Sequence, residues 1–236
     1  MRLTTVADSE AAASYAADAL ARDISAARAD RGVAHIALAG GTTPRRTYEL
    51  LAARLADWSA VELWFGDERS VGPEDPDSNY RMVAESLLAL ADVRSEQVHR
   101  IPGELGPDPA ATVYSQELRS RIDGPESELP RLDVALLGLG EDGHTASLFP
   151  GAPELEVRGV PCVGVHNAPK PPPERITLTL DMLGAAGRCL MLATGASKAA
   201  AVSAVRAGPD PRVPASLLRG TTLELIVDAA AAGAPE

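Results

Sequence analysis

The chain has 236 residues, 45% of them hydrophobic and 23% charged, which fits a globular protein large enough to bury a sizeable core. Its net charge of −11 argues against non-specific attachment to nucleic acid or to an anionic membrane. No apolar run approaches the roughly 18 residues of a membrane span. Only 3% of residues are aromatic, so Ala, Leu and Val must fill the core, which favours helices layered on a sheet.

The N-terminal MRLTTVADSE lacks the basic, apolar and small-residue regions of a signal peptide, and the expected location is the cytoplasm. Residues 7–31 are Ala-rich and free of Gly and Pro. Tyr15, Leu20 and Ile24 fall near helical spacing, so one amphipathic helix is expected, ended by Gly32. Val33 to Ala39 reads as a buried parallel strand. Gly40-Gly41-Thr42-Thr43-Pro44 follows, and then a helix from Arg45 to Asp57 with Pro44 at its first position and Thr43 as N-cap. Such a strand-to-helix turn can bind an anion through free backbone N–H groups. Taken alone, Gly-Gly reads as a plain tight turn, and the sequence is neither GxGxxG nor a P-loop.

Val61 to Phe65 is the next strand, and it runs into Gly66-Asp67-Glu68-Arg69. Taken alone, these charges read as a solvated loop. A polar loop at 72–78, a helix at about 79–91, a short strand at 98–101, a Gly/Pro loop at 103–110 and a helix at 111–122 are expected next. His99 reads as a surface or packing histidine. The polar connection at 123–130 is the best boundary candidate, but the strand–helix rhythm resumes at once, so residues 1–236 are read as one domain.

Leu132 to Leu137 is a strand that ends in Gly138-Leu139-Gly140-Glu141-Asp142-Gly143-His144. His144 is thus delivered just past the strand's carboxyl end, where open α/β sheets bind ligands. A strand-like run at 159–165 leads to Pro169-Lys170-Pro171-Pro172-Pro173-Glu174-Arg175, an exposed stiff segment that aims Lys170 or Arg175. Strands at 176–180, 188–193 and 222–227 complete the pattern, with a helix from Ala199 to Arg206, a helical turn at 215–218 and a frayed tail. Gly195-Ala196-Ser197-Lys198 is a second strand–Gly–helix turn, now with a lysine. Cys162 and Cys189 lie in apolar runs and read as two buried free thiols.

Four strand ends therefore share one edge. They bring Gly40-Gly41-Thr42, Asp67-Glu68-Arg69, His144, and Lys198. Despite the overall acidity this is a local basic cluster beside one potential base, suited to a phosphorylated small molecule. HExxH and CxxC metal spacings, the GxSxG serine elbow and the dinucleotide fingerprint are all absent. Acid–base chemistry on a sugar phosphate, without metal or cofactor, is what remains.

These residues resemble the 6-phosphogluconolactonases of the glucosamine-6-phosphate isomerase/6-phosphogluconolactonase family. The segments that carry the resemblance are Leu38 to Pro44, Trp64 to Val71, Leu137 to Pro150 and Pro169 to Leu180, supported by Pro76 to Tyr80 and the Gly195–Lys198 turn. The resemblance implies a modified Rossmann-like α/β fold with a mainly parallel sheet flanked by helices. It implies hydrolysis of a sugar-phosphate lactone by a monomer or small homo-oligomer, with no cofactor. His144 is implied as general base, and Asp67 and Arg69 as polar active-site residues. Gly40, Gly41, Thr42, Gly143, Arg175 and Lys198 are implied as substrate or phosphate contacts. Backbone N–H groups near Gly140–Gly143, or the Arg69 guanidinium, are candidates for holding the oxyanion. Asp142 reads either as the holder of the imidazole tautomer or as a turn residue.

The alternatives are an amino-sugar-phosphate deaminase or isomerase, and a non-catalytic sugar-phosphate-binding protein. Deaminase relatives tend to carry an Asn-Glu-Pro run after the histidine and an Asp-Glu-Tyr triplet. This chain has Ala146-Ser147-Leu148-Phe149-Pro150 and Asp67-Glu68-Arg69 instead.

Overall fold

A computed structural model describes residues 1–125, 128–218 and 221–233; residues 126–127 of the polar connection and 234–236 of the tail lie outside the described residues. The elements in chain order are β1 (Arg2–Val6), α1 (Ser9–Arg31), β2 (Ala34–Leu38), α2 (Thr42–Arg54), β3 (Val61–Phe65), β4 (Asp67–Arg69) and α3 (Asn79–Val83). There follow α4 (Pro107–Arg121), β5 (Val134–Gly138), β6 (Cys162–Val165), β7 (Arg175–Leu178), α5 (Leu180–Gly184), β8 (Arg188–Ala193), α6 (Ala199–Ala207) and β9 (Thr222–Asp228).

Six strands form one parallel sheet in the order β1-β9-β8-β5-β2-β3. Every residue of β2 is buried, and β5 and β8 are nearly so, as expected for parallel strands covered on both faces. From β2 the chain moves to β3 on one side and later to β5 on the other. The sheet therefore has a switch point between β2 and β5, and the crevice there opens at the carboxyl ends of the strands. The ends of β8, β5, β2 and β3 are contiguous, which places the four predicted strand ends side by side.

Helix α1 lays Ala12, Ala16, Leu20, Ile24 and Ala27 against the core on one stripe. Asp8 caps its start by accepting from Ala11 N–H at 2.8 Å, and Gly32 ends it with φ 77°, a conformation natural to glycine. Cys162 and Cys189 are both buried and free. No described helix is long and apolar enough to cross a membrane.

The structure departs from the sequence reading in several places. Strand β1 was not expected; its RLTTV pattern is largely exposed because it is the sheet's edge. Helix α2 begins at Thr42, with Gly41 as N-cap at φ 101°, so Thr43 is inside the helix and not its cap. The predicted helix at 79–91 is a short α3 followed by a π-helical turn, Ala84–Leu88. Residues 98–101 make only an isolated bridge, Leu63 to Val98, and α4 starts at Pro107 inside the expected loop. The tail folds back as far as the described residues go: Ala231 is fully buried and its N–H donates to Asp228 Oδ1 at 2.8 Å.

The largest departure is at 67–69. These residues form β4, the edge of a second, antiparallel sheet ordered β4-β7-β6. Arg175 belongs to β7 and is opposite Arg69, and Asp67 is opposite Thr177. Alternation puts Asp67, Arg69 and Arg175 on one face and Glu68 on the other.

Three devices hold the strand ends. The buried Tyr48 hydroxyl on α2 donates to Ala39 O at 2.7 Å and accepts from Ala39 N–H at 2.8 Å. Tyr114 on α4 does the same for Phe65, at 3.1 and 2.7 Å. Asp228, the last residue of β9, accepts from Gly195 N–H with both carboxylate oxygens at 3.0 Å. Each satisfies backbone groups where the ladder stops.

His99 packs as expected. It is buried, stacks on Trp64 at 4.0 Å between ring centroids, and bridges Glu62 and Glu117. Burial alone would lower its pKa, but the two carboxylates outweigh burial and raise it. Trp64 Nε1 in turn donates to His35 Nδ1 at 3.2 Å. His35 is held neutral, its pKa lowered to about 4 by burial.

Candidate active site

The carboxyl ends of β2, β3, β5 and β8 border an open cleft. Its walls include Gly40, Gly41, Asp67, Arg69, His144, Arg175 and Lys198, together with Asn79, Ala146 and Lys170. Thr42 and Gly143 do not line it. Thr42 is exposed at the first helical residue of α2. Gly143 is buried at φ 83°, its carbonyl accepts from Ala215 N–H at 3.0 Å, and a Cβ there would come within 2.8 Å of Val213. That close approach explains the glycine without a ligand.

His144 is set by a tight turn. Gly140 N–H donates to His144 O at 2.8 Å, and Gly143 N–H donates to Gly140 O at 3.0 Å. Both of these backbone donors are therefore committed, which removes them as holders of an oxyanion. A Cβ on Gly140 would lie 2.0 Å from His144 Nδ1, so only glycine leaves room for the ring. The ring rests against Phe149 at 4.6 Å between centroids. Ala146 adopts φ 49°, uncommon for a residue with a Cβ. It is flanked by Thr145, whose hydroxyl donates to Gly138 O at 2.9 Å, and by the fully buried Ser147.

Asp142 Oδ1 lies 2.5 Å from His144 Nδ1 and also 3.3 Å from the His144 N–H. Burial acts to raise the Asp142 pKa, but the hydrogen bond and charge of His144 outweigh it and the net shift is downward. An ionised carboxylate only accepts, so Nδ1 carries the proton and Nε2 keeps its lone pair. Burial lowers the His144 pKa, against the opposing pull of Asp142. The imidazole is thus neutral and oriented at pH 7. Of the two readings of Asp142, the geometry is that of a tautomer holder.

Asp67 is 7% exposed. Ser147 Oγ donates to its Oδ2 at 2.6 Å, and Asn79 Nδ2 reaches its Oδ1 at 3.2 Å. Glu68, on the opposite face, accepts from the N–H groups of Arg69, Asn79 and Tyr80 and from the Ser78 hydroxyl, at 2.7–3.1 Å. Burial raises its pKa in spite of those donors. Glu68 therefore pins the 78–80 segment beside the cleft.

Arg69 Nη1 donates to Asp77 O at 2.6 Å, while its Nε is buried with no partner among the described residues. Arg175 is only 5% exposed, and burial lowers its pKa. Its Nε and Nη2 donate to the carbonyls of Lys170, Pro171 and Pro172 at 2.9–3.1 Å, and Nη1 reaches Ser147 Oγ at 3.5 Å. Its guanidinium lies over the Phe149 ring at 5.6 Å. The proline segment thus holds Arg175 through its carbonyls, and Arg175 keeps one N–H on Nη1 for a ligand. Lys170 projects near Asp142, 3.9 Å from Oδ1. Lys198 makes no ion pair among the described residues. No group of three or more His, Cys, Asp or Glu among the described residues is placed to hold a metal ion.

Gly40, Gly41, Asp67, Arg69, His144, Arg175 and Lys198, all site candidates from the sequence, line this one cleft. Asn79, Ser147, Glu68 and Asp228, which support these residues or their turns, are not among those candidates. Glu68, Ser147 and Asp228 become visible only once strands pair.

The family profile described as glucosamine-6-phosphate isomerases/6-phosphogluconolactonase matches residues 7–227. The chain belongs to this family. Among its relatives, a 6-phosphogluconolactonase of Streptomyces coelicolor is 38% identical, over 97% of this chain and 92% of its own length. A solved 6-phosphogluconolactonase from Trypanosoma cruzi superposes with a TM-score of 0.87 at 26% identity, covering 98% of this chain and 96% of its own. A monomeric glucosamine-6-phosphate deaminase superposes with a TM-score of 0.83 at 22% identity, covering 100% of both chains. Both branches of the family thus share the modified Rossmann-like fold, and fold alone does not choose between them.

Proposed function

We propose that the chain hydrolyses 6-phospho-D-glucono-1,5-lactone to 6-phospho-D-gluconate. The observation that carries this reading is the neutral, Asp142-oriented imidazole of His144 in a cleft that also bears Arg69, Arg175, Lys170 and Lys198. The lactonase names of relatives at 38% identity over nearly the whole chain support it. Since the two sheets share one hydrophobic core, we read residues 1–236 as a single lactonase domain.

In this mechanism the phosphate sits against Gly40-Gly41 at the start of α2, which has no side-chain cap, with Lys198 alongside. His144 Nε2 takes a proton from water as its oxygen bonds to C1. The carbonyl electrons move onto oxygen, where the Arg69 guanidinium in the cleft wall is the candidate donor. The C1–ring oxygen bond then breaks, and the imidazolium returns its proton to the ring oxygen. No covalent nucleophile is needed, because a lactone carbonyl is already electrophilic. Ser147, the nearest serine in sequence, is fully buried with its hydroxyl donated to Asp67.

Lys198→Ala is expected to raise KM for the phosphorylated lactone about tenfold or more, with a smaller effect on kcat. Steady-state kinetics on gluconolactone without phosphate is the control. An equal loss on both substrates would remove Lys198 from the phosphate site.

The pH profile is a second check. A base is active when unprotonated, so activity is lost as pH falls through its pKa. Because the His144 pKa is lowered, the acid limb of kcat/KM is expected below pH 6.5, the ordinary imidazole value. A limb centred above that value contradicts the assignment. The direct test of the activity offers the protein 6-phosphogluconolactone and glucosamine 6-phosphate in parallel. Ammonia release from the second, without acceleration of the first over its spontaneous rate, reverses the reading.

A further inference from the structure

Asn79 takes no part in the hydrolytic steps, yet it stands in the cleft wall between Gly40 and Asp67. The residue is 2% exposed. Its backbone N–H is held by Glu68 Oε1 at 2.7 Å, which fixes its place at the start of α3. Its Nδ2 donates to Asp67 O at 2.8 Å and to Asp67 Oδ1 at 3.2 Å. A backbone carbonyl can only accept, so the nitrogen of the amide must face Asp67 and the oxygen must face away. Both N–H groups are then committed.

The oxygen is the group left over. Asn79 Oδ1 accepts no hydrogen bond among the described residues, and it points at the Gly40 turn, where a Cβ would come within 1.8 Å of it. Gly40 makes room for it. An acceptor this well fixed, on a cleft wall between the proposed phosphate turn and Asp67, is open to a donor from a ligand. The other polar groups around the cleft are mostly cations or their counterions, and cations bring donors to a ligand. A sugar lactone also carries hydroxyl groups that need an acceptor.

We propose that Asn79 is a substrate-binding residue: its Oδ1 accepts a hydrogen bond from one ring hydroxyl of the sugar-phosphate lactone, while its Nδ2 sets the orientation of Asp67. This rests on the lactonase reading of the same cleft. It assigns Asn79 a double part, reading the sugar's hydroxyl pattern with one end of its amide and aligning a cleft carboxylate with the other.

The test is a cycle between residue and substrate. kcat/KM is measured for 6-phosphogluconolactone and for its 2-, 3- and 4-deoxy analogues, in the wild-type protein and in Asn79→Ala, with the spontaneous rate subtracted. In the wild type, removing the contacted hydroxyl is expected to lower kcat/KM by roughly 5- to 10-fold, the loss of one neutral hydrogen bond. In Asn79→Ala, removing that same hydroxyl lowers it no further. If every analogue loses the same factor in both proteins, Asn79 is merely structural and the proposal falls. Where Asn79→Ala does not fold, the smaller but still polar Asn79→Ser takes its place in the same cycle. If the wild type fails to accelerate the parent lactone at all, the lactonase reading itself falls and takes this assignment with it.

Discussion

Replacing His144 with alanine is expected to lower kcat for 6-phosphogluconolactone by about 10²-fold or more while the protein stays folded. The imidazole is the one cleft side chain with a lone pair on nitrogen, an orienting carboxylate at 2.5 Å and a neutral form at pH 7. The folded state has little else at stake in the ring. It is partly exposed, and its main apolar contact is Phe149. Circular dichroism and the thermal midpoint check the fold, and turnover is read after subtracting uncatalysed hydrolysis, which is substantial for such lactones. Unchanged turnover would exclude His144 as the base. A rise in KM alone would make it a binding group instead.

Gly140→Ala is expected to lower kcat by a comparable factor with every candidate catalytic side chain still present. The added methyl group would lie 2.0 Å from His144 Nδ1, 2.2 Å from Cε1 and 2.5 Å from Asp142 Oδ1. Real Cβ atoms do not tolerate such contacts, so the ring and the carboxylate must separate or swing. A displacement of about 1 Å at a reacting group can lower a rate about 10²-fold. Gly140 is not among the positive-φ glycines, so its backbone does not itself demand glycine and the effect is one of space. The double variant Gly140→Ala/His144→Ala separates this from general damage. If the methyl acts through His144, the double variant is no slower than His144→Ala alone. Additive losses would show that Gly140 serves the site by another route.

The parts of this fold that could be read from sequence are those whose signal is local. Ala34 to Leu38 is an apolar run interrupted only by His35 that stops at Gly40-Gly41, and it is a buried central strand that ends at the cleft. Val134 to Gly138 and Arg188 to Ala193 follow the same rule. Strand β4 could not be read this way. Three consecutive charged residues have no apolar periodicity, and they become a strand only because β7, more than a hundred residues later, pairs with them. For the same reason Asp67 and Glu68 looked solvated and are buried. Edge strand β1 is polar and exposed, so neither of its faces carried a pattern.

The candidate site divides similarly. His144 and Lys198 were legible because each follows an apolar strand and a glycine turn. Arg175 was placed correctly at the cleft, but not in its manner of support. Its donors are engaged by the carbonyls of the proline segment, a contact that depends on where that segment folds. Thr42 and Gly143 were drawn in by their neighbours in sequence, yet one faces solvent and the other packs under Val213.

The paired hydroxyl bonds of Tyr48 and Tyr114 bear on what binding must supply. Each tyrosine holds both backbone groups of a residue at the end of a strand, Ala39 in one case and Phe65 in the other, from the buried side. Those residues immediately precede Gly40 and Gly66, so the turns facing the cleft start from anchored backbone. Ordering a loose backbone residue around a ligand costs about 1–2 kcal/mol each. A site whose approaches are already fixed avoids much of that loss, and more of the interaction with substrate then appears as affinity and rate. The two tyrosines make the cleft a preorganised receptor, although neither is among the residues that line it.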